Sequence, residues 1–225
     1  MKKVDFLFKY PTRGRPNIFK KVFNQYCSML SRKHSYHFLI SMDNDDRTMN
    51  NISMKTFLCN KSDISYFYGN SKSKVEAINA DMNKIKNDID YSILIVLSDD
   101  MIPEVHEFDD IIYKEFVVRF PDFDGALFFS DGNVGERLNT LVVLGKKTYD
   151  YFGYIYHPSY ISLWCDNEYT DVLKSMNKLP FINRVVIRHK WVGDHNPDEL
   201  HRRNEKYYGK DEQNYKTRKA NGFPK

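Results

Sequence analysis

Tyr91-Ser92-Ile93-Leu94-Ile95-Val96-Leu97-Ser98-Asp99-Asp100-Met101 decides how the rest of this chain is read. Ile93 to Leu97 is an unbroken apolar run, rich in β-branched side chains and far too short to span a bilayer. Such a run marks a strand buried on both faces, as in a parallel sheet with helices above and below. It ends in two adjacent carboxylates. In open α/β sheets, ligands bind outside the carboxyl ends of the strands. Two acids at that edge suit a divalent cation, and a divalent cation suits a diphosphate. Aspartate also closes ordinary turns, so the pair has to be weighed with its surroundings.

Upstream, three strand-loop-helix units feed into this strand, which predicts a mostly parallel sheet in a single α/β domain. Val4 to Tyr10 reads as the first strand. Pro11-Thr12-Arg13-Gly14-Arg15-Pro16 follows as a rigid turn, and Asn17 to Leu30 is a helix with Ile18, Val22, Tyr26 and Met29 on one face. Thr12, Arg13 and Arg15 then lie at the carboxyl edge, where a planar guanidinium can grip phosphate. Tyr36 to Met42 is the second strand and ends in Asp43-Asn44-Asp45-Asp46. Acids just past an early strand accept hydrogen bonds from a ribose or base, or form an Asx turn. Asn50 to Asn60 is a weak helix and Ile64 to Tyr68 a third strand. In the next loop, Gly69 to Ser73, Asn70 faces the same edge. Ser73 and Glu76 form a capping box that starts a helix near Lys74, with Val75, Ile78, Met82 and Ile85 inward. Lys72 and Lys74 sit at that helix start, where backbone N–H groups already favour anions.

Downstream, Pro103 to Phe120 contains a helix with Ile111, Ile112, Phe116 and Val117 inward. Phe123 to Ser130 and Asn139 to Leu144 read as strands, and Lys146 to Phe152 as a short helix closed by Gly153. Ser162-Leu163-Trp164-Cys165-Asp166-Asn167-Glu168 leads into a helix ending near Met176. Asn183 to Arg188 is a last strand, ending in His189-Lys190-Trp191. After position 193 the chain turns polar and charged. Residues 194–225 read as a basic extension, with an exposed helix over Pro197 to Lys206 and a loose tail after it.

Composition sets outer limits. The 225 residues include 16 Tyr and 16 Phe, enough to build a real core. A net charge of +4 permits an anionic ligand without by itself indicating nucleic acid. Cys27, Cys59 and Cys165 have no metal-type spacing and read as free thiols of a reducing compartment. Asp5 and Lys9 break the N-terminal apolar run, so no signal peptide is expected. The expectation is a soluble cytoplasmic protein.

The order of these features resembles the GT-A fold of nucleotide-sugar glycosyltransferases, particularly the inverting enzymes of family 2. The Pro-Thr-x-x-x-Pro turn comes first, then the acidic cluster, the Ser/Asn-rich loop, and Ser98-Asp99-Asp100. The Asp-x-Glu pair behind Trp164 follows, and a histidine closes the last strand. The resemblance runs from Val4 to Trp191. It departs from the family in one respect: the usual Asp-x-Asp is Ser98-Asp99-Asp100, without the first acid.

Residue by residue, the resemblance implies that Asp43 holds the base or ribose, with Thr12 and Arg15 nearby. Arg13, Asp45, Asn70 and Lys74 belong to the same nucleotide-sugar site. Asp99 touches the ribose or the metal shell, and Asp100 coordinates Mn²⁺ or Mg²⁺. His189 is a further metal ligand, with His195 as its substitute. Asp166 or Glu168 is the catalytic base, Asp166 being favoured. The activity implied is metal-dependent transfer from a nucleoside-diphosphate sugar, UDP-sugar favoured, to an acceptor hydroxyl with inversion. A nucleotidyltransferase would want a Gly-rich phosphate loop where this chain has only Arg13-Gly14-Arg15. A non-catalytic nucleotide-sugar binding module is the remaining alternative. The acceptor is a glycan, a protein or hydroxymethylated pyrimidine in DNA. The last follows from the Lys/Arg and Tyr residues of the tail (Arg202, Arg203, Lys206, Tyr207, Tyr208, Lys210, Lys216, Arg218, Lys219) and from the likeness to small phage and viral enzymes, which would place it in a host cytoplasm.

Overall fold

Lys2–Pro11 (β1) alternates Phe6, Phe8 and Tyr10 with Leu7 and Lys9, so both faces of the strand carry buried side chains. The computed structural model of the protein, which describes residues 1–190 and 199–223, places this strand inside the sheet with a partner on each side. Tyr36–Asp43 (β2) and Ile89–Val96 (β4) pair with it in parallel on either side, and Ile64–Gly69 (β3) extends β2. Beyond β4 lie Val143–Gly145 (β7), Ala126–Phe129 (β6) and Phe181–Ile182 (β8), giving the order β3-β2-β1-β4-β7-β6-β8. β7 runs antiparallel to both of its neighbours, and β6 pairs with β8 in parallel. The sheet is therefore mostly parallel, as expected.

Helices cover both faces. Pro16–Met29 (α1), Ile52–Cys59 (α2) and Phe108–Arg119 (α5) pack on one core with Phe6, Phe8, Phe38 and Ile95. Lys74–Asn79 (α3), Met82–Ile85 (α4) and Cys165–Ser175 (α7) pack on the other with Leu7, Leu39 and Leu94. Lys146–Phe152 (α6) lies on that second side through Tyr149 and Phe152. A separate ribbon pairs Met101–Pro103 (β5) with Ile187–His189 (β9), antiparallel. The chain then re-enters the described residues as Glu199–Glu205 (α8) and Tyr208–Ala220 (α9).

Several sequence expectations give way to packing. Ile18 is half exposed, and Phe19 and Phe23 fill the core side of α1 instead, because the larger rings fit against Tyr10 and Phe38. Val117 is likewise outward. The single helix expected from Lys74 is two, since Asp81 takes a left-handed conformation (φ 66°) between α3 and α4. The apolar spacing of Val75, Ile78, Met82 and Ile85 survives the break, so the periodicity concealed it. The strands expected over 123–130 and 139–144 are shorter and sit at β6 and β7. The loose tail is mostly helix: α9 packs on α7. The boundary at 193, His195 and Trp191 lie outside the described residues.

Candidate active site

The strand order reverses between β1 and β4, so the crevice at their carboxyl ends is a topological switch point, where open α/β sheets bind ligands. A cavity of about 510 Å³ opens there, within the size range of small-molecule and cofactor sites. Its floor is the end of β1 (Pro11, Thr12) and of β4 (Val96, Leu97), followed by Ser98, Asp99 and Asp100. The Leu97 N–H donates to the Lys9 carbonyl at 2.8 Å, which carries the β1–β4 pairing right up to the two carboxylates.

Asp99 is turned down into the sheet edge. The Thr12 hydroxyl donates to its Oδ2 at 2.9 Å and the Tyr10 hydroxyl to its Oδ1 at 3.1 Å. Burial raises its pKa to about 7, against those hydrogen bonds and the charge of Arg15. Asp100 behaves in the opposite way. Burial works against its charge, but His189, the Ser98 hydroxyl and Lys74 outweigh it, so the carboxyl is held well below the usual range. The two adjacent aspartates are thus shifted in opposite directions.

The ribbon β5–β9 explains why His189 meets Asp100. Its register sets Met101 opposite His189, and the Lys190 N–H donates to the Asp100 carbonyl at 2.7 Å. Asp100 Oδ2 and His189 Nε2 stand 3.7 Å apart on the cavity wall. Among the described residues, no three His, Cys, Asp or Glu side chains converge as a complete cage. One carboxylate with one imidazole fits a borderline cation such as Mn²⁺ better than Mg²⁺, which prefers oxygen throughout. The other coordination positions would fall to phosphate oxygens and water.

Asp166 enters from the far side. The bulky Trp164 adopts a left-handed conformation (φ 62°) immediately before α7 and is held by ring contacts with Tyr215 and Tyr208 at 5.1 and 5.7 Å. That tight entry starts α7 at the cavity wall, and Asp166 lines it. Burial raises the Asp166 pKa, opposed mainly by the charge of Lys74. Lys74 is brought there because the Val75 N–H donates to the Ile161 carbonyl at 3.1 Å, and because Asn79 bonds the backbone of Ile155 and Tyr156. α3 is only six residues long, so the Lys74 ammonium, rather than a helix dipole, supplies the positive charge.

Glu168 is placed differently from Asp166. It is buried behind α7, accepts from the Tyr160 hydroxyl at 2.7 Å and from Arg218 at 2.7 and 2.8 Å, and does not line the cavity. Its neighbours make it a brace for α9, two residues along the helix from the cavity-lining acid.

At the other end of the cavity, Arg13 donates to Asp43 at 2.7 Å and to Asp45 at 2.6 and 3.0 Å. Asp43, Arg13 and Arg15 line the cavity; Asp45 is mostly exposed and lies outside it. Asn70 also lies outside, with its side-chain oxygen accepting from Asn44, while Ser71 to Lys74 form the wall beside it. Gly14 makes this packing possible: at φ +74° its N–H donates to Asp46 at 2.7 Å, tying the arginine turn to the second strand. Thr140, Tyr156, Leu200 and Arg203 also line the cavity, though nothing in the sequence places them there. No local pattern singles them out, and the polar helix carrying the last two lacks an apolar stripe.

No family model and no curated protein matches this sequence. Solved structures do match in shape. The mannosyltransferase PcManGT from Pyrobaculum calidifontis, in complex with GDP-Man and Mn²⁺, superposes with a TM-score of 0.64 at 10% identity, over 86% of this chain and 59% of that one. Residues 1–349 of S. aureus TarS give a TM-score of 0.59 at 10% identity, over 83% and 60%. The same protein in complex with UDP-GlcNAc gives 0.58 at 10% identity, over 87% and 63%. The chain thus spans about three-fifths of the length of each. The likeness establishes the architecture: this chain has the GT-A, Rossmann-like fold of nucleotide-sugar glycosyltransferases.

Proposed function

We propose that the protein transfers a hexosyl or pentosyl group from a nucleoside-diphosphate sugar, UDP-sugar favoured, to an acceptor hydroxyl with inversion. One observation carries the reading. Asp99, Asp100, His189, Lys74 and Asp166, drawn from four separate segments, line one cavity at the switch point of the sheet.

Asp100 and His189 would hold Mn²⁺ or Mg²⁺. When bound, the ion would neutralise charge growing on the leaving diphosphate, and such preorganised electrostatics is usually the largest catalytic contribution. Thr12, Arg13, Arg15, Asp43 and Asp99 would bind the nucleotide at the β1–β2 end, with Lys74 beside the diphosphate. Asp45 and Asn70 would act from the rim, Asp45 by keeping Arg13 in place. Asp166 would take the proton of the acceptor hydroxyl. A single base suffices for inversion, because attack comes from the side opposite the leaving group. The brace formed by Glu168, Tyr160 and Arg218 favours Asp166 over Glu168 for that role. The acceptor hydroxyl would belong to a glycan, a protein or a hydroxymethylated pyrimidine in DNA.

The test is a thermal-shift panel of UDP-, GDP- and CDP-sugars with and without Mn²⁺. A ligand at one hundred times its Kd should add about 2.7 kcal/mol of apparent stability. One donor should do so, with a component that needs the metal and that Asp100→Ala removes. Metal-dependent hydrolysis of that donor without acceptor then separates an enzyme from a binding module. No shift with any donor would sink the proposal.

A further inference from the structure

The C-terminal arm, α8 and α9, is rich in Lys, Arg and Tyr, yet its groups are sorted between two surfaces. One set fastens the arm to the body. Asp211 is buried in α9 and accepts from the consecutive N–H groups of Ile161, Ser162 and Leu163 at 3.0, 2.7 and 2.8 Å. Arg218 grips Glu168, and the Tyr215 hydroxyl and Lys219 both reach Asp171, at 2.6 and 2.7 Å. These contacts all fall on α7 or the segment leading into it. Arg218 is therefore turned inward and Lys219, though exposed, is paired with Asp171.

The other set lies over the cavity. Leu200, Arg203, Asn204 and Tyr207 belong to its lining. Arg203 sits at the end bounded by β2 and β3: its Nη2 donates to the Lys72 carbonyl at 3.0 Å, across the mouth from its own helix. Asp45, held below the ordinary carboxyl range chiefly by Arg13, also feels the charge of Arg203. A guanidinium carries five N–H donors in a rigid planar fork. One bond to Lys72 fixes its position and leaves donors for a ligand beneath.

We propose that Arg203 is a donor-binding, specificity-determining residue that closes over the nucleoside half of the bound nucleotide, and that the arm is the roof of that pocket rather than a nucleic-acid-binding tail. This rests on the sugar-transfer reading above. The chemistry sets a preference. A guanidinium donates to carbonyl edges, so uracil, with an oxygen at position 4, or guanine, with its oxygen and ring nitrogen, is favoured over cytosine, which presents an amino group there.

The experiment is calorimetric titration of wild type, Arg203→Ala and Arg203→Gln with UDP, GDP, CDP and pyrophosphate, all with Mn²⁺. Wild type should bind UDP or GDP more tightly than CDP. Both variants should bind the preferred nucleotide about tenfold more weakly, the size of one charge-assisted hydrogen bond. Their preference over CDP should disappear while pyrophosphate affinity is kept, a pattern that general loosening of the fold would not produce. Arg203 is partly exposed, and Arg203→Gln retains a side chain able to bond Lys72, so at least one variant should fold. If wild type binds no nucleotide, the sugar-transfer reading itself fails. If it binds one and both variants bind it equally well, only the assignment of Arg203 falls. Retardation of DNA by wild type that Arg203→Ala abolishes, with UDP and GDP affinity unchanged, would also overturn the roof.

Discussion

Asp166 keeps its proton to higher pH than a solvated aspartate because burial disfavours its charge more than Lys74 favours it. A general base works best when its pKa approaches the working pH. Activity should therefore rise with pH along a limb that lies above the usual carboxylate range of about 4. Asp166→Asn should remove that limb and lower kcat by about 10² to 10⁴-fold with KM little changed, read by initial rates from pH 5 to about 9. Glu168→Gln should leave the limb in place. Lys9 makes a second, independent prediction. It is wholly buried in β1, donates to Ser41, which in turn donates to Asp81, and burial lowers its pKa to about 7. The unfolded chain holds the proton up to about 10.4. Between those values the unfolded state binds more protons, so stability should climb with pH, approaching about 1.4 kcal/mol per unit. Urea melts of Lys9→Met across that window should lack the climb. Neither property could be read from the sequence, where Lys9 is one charged residue in an apolar strand and Asp166 and Glu168 look equivalent. What separates the last two is the side of α7 each faces, and that is set by the approach of α9.

Elements were legible in proportion to how they are held. β1, β2 and β4 are held by apolar burial, which writes itself into composition and alternation, and they lie where the sequence put them. α9 is held by charge and hydrogen bonds: Asp211 on three backbone N–H groups, Arg218 on Glu168, Tyr215 on Asp171. Such contacts leave no periodic apolar stripe, so the segment reads as solvated. Its anchoring is nonetheless testable. Asp211→Ala would strand three backbone donors, and each hydrogen bond to a charged group is worth about 1.5–3 kcal/mol. The expected result is a loss of about 3 kcal/mol or more in urea melts, with cleavage of the arm by trypsin well before the body. An arm that stays resistant would mean that the bonds to Glu168 and Asp171 and the ring contacts hold α9 without Asp211.

For the molecule as a whole, the position of the carboxyl edge followed from the sequence because a strand that ends in acids names its own ligand side. The reversal of direction at β7 did not follow, since a three-residue strand flanked by buried residues looks alike in either sense. The cavity drew on both kinds of part: a floor of readable strands and a roof of unreadable helices. The small ribbon that joins β5 to β9 has a bearing on how the protein matures. Asp100 is complete once the first half of the chain has formed, but its imidazole companion arrives only with position 189, after every strand of the main sheet has been made. During synthesis the floor of the cavity can therefore assemble before Asp100 meets His189. His189→Ala in the full chain should weaken the response to manganese while nucleotide binding without metal is kept, as read by calorimetry.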